Sequence, residues 1–148
     1  MVTEVLGIDH VYLAVRDLAV SRRYYDVVLG ILGFRSGKFE IGGEAHAPYY
    51  NRHFGFMLRP AHSAQPHDPY SAGLHHFCFR VNTAADVTAV AVALRSAGIE
   101  ASEPKLYPEY AEDYFATFFD DPDGIRLEVT NYRKERRERH DNWTPPEG

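Results

Sequence analysis

Two stretches carry the reading of the fold: IDHVYLAVRD (residues 8–17) and LHHFCFRVNT (residues 74–83). Slid by 66 positions, they place His10 on His76, Val15 on Val81 and Asp17 on Thr83. Each is an apolar, strand-like run that ends at a residue suited to cap a helix. Helix-length stretches follow, LAVSRRYYDVVLG (18–30) and AADVTAVAVALRSAG (84–98), and each gives way to glycine and then a large apolar residue, Phe34 or Ile99. Strand-like pieces come next. In the first half they are FRSGKFEIG, HAPYYN and HFGFMLRP; in the second, EASEPKLY, YFATFFD and GIRLEVTNY. DDPDG (120–124) has strong turn chemistry. The pattern is strand–helix–three strands, used twice.

Neither half carries enough apolar surface for a core of its own, so the repeat predicts one α+β domain over 1–148. Module 1 is expected at about 5–60, a Pro- and Ala-rich linker at 61–73, module 2 at about 74–132 and a polar tail at 133–148. Glu44 and His46 read as an alternative metal pair on a Gly-flanked loop, a less rigid platform than a strand, and His53, His62 and His67 as solvated residues in or near the linker.

Alternation assigns the faces. Val11, Leu13 and Val15 share one face of the first strand; His10, Tyr12 and Ala14 share the other. In the matching strand Phe77, Phe79 and Val81 lie opposite His76, Cys78 and Arg80. The last strand splits in the same way, with Ile125, Leu127 and Val129 against Arg126, Glu128 and Thr130. The apolar sets belong against the helices. His10, His76 and Glu128 therefore stand on the same kind of polar face, and Met57 is the first-half counterpart of Glu128. His75 occupies the place of Asp9 and points the other way.

Two imidazoles and one carboxylate, with positions left open, suit a divalent ion that polarises a substrate oxygen or acidifies a bound water. Arg80 and Arg126, on the same face, suit bidentate binding of a carboxylate or phosphonate. Tyr107, Tyr110 and Tyr114 cluster just before the strands that carry Glu128, and suit hydrogen bonding to substrate or loop packing.

A formal net charge of −5 argues against nucleic-acid binding, and only YRKERRERH (132–140) is locally basic. The single cysteine, Cys78, fits a reducing compartment. The N-terminus does not read as a signal peptide and the longest apolar helical run is too short to cross a bilayer, so the expectation is a soluble cytoplasmic protein with no membrane partner.

The two strands IDHVYLAV and LHHFCFRV and the ending FFDDPDGIRLEV resemble the vicinal oxygen chelate superfamily over about residues 5–132. That group includes glyoxalase I, extradiol dioxygenases, fosfomycin-resistance thiol transferases, methylmalonyl-CoA epimerase and bleomycin-resistance proteins. The resemblance implies two βαβββ modules forming a cupped mixed sheet around a central site. It implies metal ligands at His10, His76 and Glu128 and one divalent ion (Fe, Mn, Zn, Ni or Co). Tyr12, Met57, Arg80, Tyr114 and Arg126 are the expected substrate-contacting residues, and no catalytic residue is assigned.

Where glyoxalase I takes a glutamate as fourth ligand, this chain has Met57. Where extradiol dioxygenases carry a tyrosine it has Phe118, and no histidine lies between His76 and Glu128. Fosfomycin-type transferases share the two-histidine, one-glutamate set, which bleomycin-type binders lack. The resulting expectation is a metal-dependent lyase or isomerase, thiol transferase or oxygenase acting on a small molecule. The alternative is a non-catalytic protein that sequesters its ligand. A homodimer is expected, with each site completed within one chain or across two.

Overall fold

The computed structural model describes residues 2–147. The first half contains β1 (His10–Val15), α1 (Leu18–Ile31), β2 (Arg35–Ser36), β3 (Phe39–Ile41), β4 (Glu44–Tyr50) and β5 (Gly55–Pro60). The second contains β6 (His76–Val81), α2 (Ala84–Ser96), β7 (Lys105–Leu106), β8 (Phe115–Asp120) and β9 (Arg126–Asn131), and α3 (Lys134–Asp141) follows. Each half forms its own mixed sheet, in the orders β1-β5-β4-β2, with β3 added on β4, and β6-β9-β8-β7. The first strand of each half runs parallel to the last, β1 with β5 and β6 with β9, and the remaining pairs are antiparallel.

The helix signals operate as their chemistry requires. Asp17 caps α1 by accepting from the Val20 amide, and Thr83 forms a reciprocal capping box with Asp86 on α2. Gly33 and Gly98 both adopt φ 81°. That left-handed turn lets the Phe34 amide reach the Leu29 carbonyl at 2.8 Å and the Ile99 amide reach Leu94 at 2.9 Å. Gly30 lies inside α1.

The strand boundaries differ from the sequence reading in three places. FRSGKFEIG is two short strands, β2 and β3, rather than one, and only Lys105–Leu106 of EASEPKLY is paired. Glu44 and His46 are not in a loop: both lie on β4, which starts at Glu44.

The two modules share one core. Val15, Val28, Leu29, Phe56 and Leu58 from the first half are fully buried, as are Val87, Leu94, Leu127 and Val129 from the second. An aromatic cluster joins the halves: Phe56 lies 5.4 Å from Phe77 and 5.7 Å from Phe79, ring centre to ring centre, and Phe34 lies 6.2 Å from Phe79. These rings stand on the helix side of their sheets. The opposite faces, with His10, Tyr12, His76 and Arg80, are turned outward and exposed. Among the described residues no helix is long and apolar enough to cross a membrane.

The turn after β8 fastens the modules together. The Tyr25 hydroxyl of α1 donates to Asp121 Oδ2 at 2.9 Å and Tyr24 donates to the Asp120 carbonyl at 2.8 Å. Arg16 holds Asp123 through its Nε at 2.9 Å. The other oxygen of Asp121 accepts from the Asp123 and Ile125 amides, both at 2.8 Å, so one carboxylate shapes the turn and receives the neighbouring module. Burial holds the Asp121 carboxyl above the usual aspartate range in spite of these bonds. Tyr25→Phe removes the donor from a buried oxygen and is expected to destabilise the fold by about 1–3 kcal/mol. A urea titration should show this as a lowered midpoint at unchanged slope.

Candidate metal centre

Strand register places Glu128 of β9 beside Cys78 of β6 on one side and Phe118 of β8 on the other. Glu128 is only 2% exposed. Its Oε1 accepts a hydrogen bond from the Tyr114 hydroxyl. Its Oε2 lies 3.4 Å from His76 Nε2, at the start of β6. The other ring nitrogen of His76, Nδ1, is 2.8 Å from His75 Nδ1. Two expected ligands are thus brought together, and both are oriented by a further side chain.

His10 opens β1, on the other sheet. Its Nδ1 is engaged by Asp9 Oδ1 at 2.7 Å, so the residue before the histidine fixes the ring in both halves. Gly55 pairs with His10 across β1 and β5, and any Cβ there would come within 3.3 Å of the His10 Cβ and 2.9 Å of Met57 Cε. The structure does not bring His10 to His76 and Glu128. Among the described residues, no group of three or more His, Cys, Asp or Glu side chains is arranged to hold a metal ion.

The expected substrate-contacting residues divide between the two faces. Tyr12 lies edge-on to His10, with ring centres 5.9 Å apart, and its hydroxyl is 2.9 Å from His46 Nδ1. Met57 pairs with Tyr12 on one side and Pro48 on the other. Tyr114 meets Glu128 directly. Arg80 stacks over Tyr132 at 4.1 Å and Arg126 over Phe118 at 4.4 Å. Tyr107 and Tyr110 stack on one another, and Tyr110 meets the Tyr114 ring edge-on at 5.2 Å. The loop is tied down by Asn131, which donates to the Asp113 carbonyl and accepts from the Phe115 amide. This anchoring places the Tyr114 hydroxyl on the carboxylate.

A second polar network surrounds Glu44 and His46, which the sequence offers as an alternative metal pair but which lie on a strand and not in a loop. His46 is 3% exposed, under Tyr12 and Phe39, and its Nε2 faces Glu44 Oε1 at 3.6 Å. Glu44 also binds Arg59 at 2.7 Å and His62 Nε2 at 2.6 Å, so His62 is hydrogen-bonded and not merely solvated. Beginning β4 at Glu44 would have revealed it, because alternation puts Glu44, His46 and Pro48 on the face of Met57.

The donor chemistry fits a divalent ion. Glu128 is a buried carboxylate whose nearest ionisable partner is a half-exposed histidine, with no lysine or arginine paired to it among the described residues. A buried charge of this kind needs a counter-charge. An imidazole nitrogen and a carboxylate oxygen 3.4 Å apart are spaced to share one ion.

Neighbouring groups are correspondingly protonated. The Tyr114 phenol is raised above its ordinary value by burial and then by its bond to Glu128. The Cys78 thiol is pushed up to about 12, by burial first and by the negative charge of Glu128 second. Cys78 is therefore expected to be a poor nucleophile. In metal-free protein at pH 8, iodoacetamide should alkylate it at least about a hundredfold more slowly than free cysteine. A rate within tenfold of the free amino acid would contradict this.

A profile of the Glyoxalase/Bleomycin resistance protein/Dioxygenase superfamily matches residues 7–129. The uncharacterized protein YaeR of Escherichia coli (strain K12) is 29% identical over 128 residues, covering 82% of this chain and 93% of YaeR. A solved glyoxylase/bleomycin resistance protein/dioxygenase domain from Frankia sp. EAN1pec superposes with a TM-score of 0.71 at 25% identity, covering 88% of this chain and all of that one. The fosfomycin resistance protein FosX of Listeria monocytogenes superposes with a TM-score of 0.64 at 15% identity, covering 90% and 99%. The paired modules, their parallel outer strands and this match over most of the chain lead to one conclusion: the chain belongs to the glyoxalase/bleomycin resistance protein/dioxygenase superfamily.

Proposed function

We propose that this chain is a metal-dependent enzyme acting on an oxygen-bearing small molecule, with His76 and Glu128 of one subunit and His10 of the partner subunit as ligands to one divalent ion. The observation that carries the reading is the approach of His76 Nε2 to within 3.4 Å of Oε2 of the buried Glu128, to which no lysine or arginine is ion-paired among the described residues. The two-chain arrangement is supported by the outward turn of both polar faces. It is also supported by the segment just before β1, where Val5, Leu6 and Ile8 are 84%, 94% and 59% exposed. Apolar surface of that kind on a short arm suits burial against a second copy. His10, with Nδ1 already held by Asp9, offers its free nitrogen to such a partner.

When bound, the ion would supply Lewis-acid activation of a substrate oxygen. The protein side chains have separate tasks. Tyr114, kept protonated, holds one carboxylate oxygen and leaves the other free. Tyr12, backed by the buried His46, presents a hydroxyl beside His10 and suits hydrogen bonding to substrate. Met57 supplies an apolar wall where its counterpart in module 2 is a carboxylate. The reaction is lyase or isomerase chemistry, thiol transfer or oxygenation.

A second reading, a binding protein that sequesters its ligand without chemistry, draws on the separation of His10 from the other two groups within one chain. Protein purified without chelators is expected to contain about one metal ion per chain and to lose it in Glu128→Ala. Mixing His10→Ala chains with Glu128→Ala chains should restore metal binding in the mixed dimers, which contain one intact site. Full occupancy in Glu128→Ala, or a monomer by light scattering, would contradict the shared site.

A further inference from the structure

The polar tail after β9 folds into α3, which is largely exposed, and Arg133 at its start lies over Tyr114 on the face that carries Glu128. Residues 132–140 hold five Lys and Arg against two Glu, in a chain whose net charge is −5. Arg133 and Arg136, three apart on one side of α3, are half-buried, while Lys134, Glu135 and Glu138 point to solvent. The Arg133 guanidinium lies 4.6 Å over the ring of Tyr114, the residue bonded to Glu128. The ring of Tyr132 is shared by Arg80 and Arg137, each 4.1 Å from its centre, and Arg137 is fixed by the Asn82 carbonyl at 3.0 Å.

The cations so gathered are not all neutralised. Arg133 pairs with Glu135 at 3.3 Å and Lys134 with Glu138 at 3.8 Å. Among the described residues Arg80 and Arg136 have no carboxylate partner. Burial and then the nearby charges of Arg139 and Arg80 hold the Arg136 guanidinium below its ordinary value. Stacking on Tyr132 holds the Arg80 guanidinium plane in place while leaving its N–H edges free for a planar oxyanion. Arg80 stands two residues beyond Cys78, the strand partner of Glu128, or about 7 Å along β6. A small molecule spans that distance.

We propose that Arg80 and Arg136 form an oxyanion-binding wall beside the sheet face that carries Glu128, so that the substrate carries a phosphate or carboxylate group about one small-molecule length from the oxygens presented to His76 and Glu128. The substrate assignment rests on the metal reading above, and the oxyanion wall itself is tested apart from it.

Inorganic phosphate and, separately, acetate are titrated into the purified full chain. Melting temperature is followed against sodium chloride of matched ionic strength, and metal content is measured on the same samples. Phosphate or acetate should raise the melting temperature where chloride does not, and the stronger of the two identifies the group. Arg80→Gln and Arg136→Gln should each weaken that affinity about tenfold at unchanged metal content. Glu128→Ala should lose metal and keep the anion response, which supports the wall independently of the ion. An equal effect of chloride overturns the proposal, as does an undiminished response in both arginine variants. Wild-type protein purified without chelators that holds no metal yet shows the arginine-dependent response would sink the metal reading and leave the wall standing.

Discussion

The contact of Phe56 with Phe77 and Phe79, closed by Phe34, decides the layout of the rest of the molecule. A sheet with one apolar face must cover it. Here each sheet covers its own with a helix, and the two helix-side layers then merge into one core. Because the apolar faces are spent on each other, the polar faces turn outward. Tyr25, Tyr24 and Arg16 hold this arrangement through the turn that precedes β9, so the DPDG motif acts as a clasp between modules as well as a hairpin.

Glu128 pays for the position this creates. A carboxylate at 2% exposure loses hydration, and hydrogen bonding from Tyr114 replaces only part of it. The nearby proton-bearing groups respond together: the phenol and the Cys78 thiol both hold their protons more tightly. The result is a concentrated negative point beside a half-exposed imidazole, with a ring of guanidiniums from β6 and α3 a few residues away. The contrast between the two outer faces is instructive. In module 1 the place of Glu128 is taken by Met57, and the polar work shifts to the Tyr12–His46–Glu44 network. Duplication supplied two similar frames, and side-chain replacement gave them different chemistry.

Much of the architecture was legible in local chemistry. Asp17 and Thr83 as caps, Gly33 and Gly98 as helix stops, and the face of every residue on β1, β6 and β9 follow from period and turn preference alone. So does the equivalence of Met57 and Glu128, which the register reproduces: each stands two residues beyond the strand partner of its half's histidine. The short edge pieces were harder, because β2, β3 and β7 contain two or three residues each and have too little alternation to declare themselves. Glu44 was read as loop for the same reason, since Gly42 and Gly43 precede it and obscure the start of β4.

By itself the sequence determined the repeat, the elements, and which side chains share a polar face, since each of these depends on residues a few positions apart. Only the tertiary structure decided that His76 and Glu128 converge while His10 stands on the other sheet. It also decided that Tyr114 reaches the carboxylate, and that the basic tail folds back as a helix beside it. Those outcomes turn on which faces the modules bury against each other. That choice is made by aromatic contacts between residues more than twenty positions apart in the chain, which no local pattern encodes.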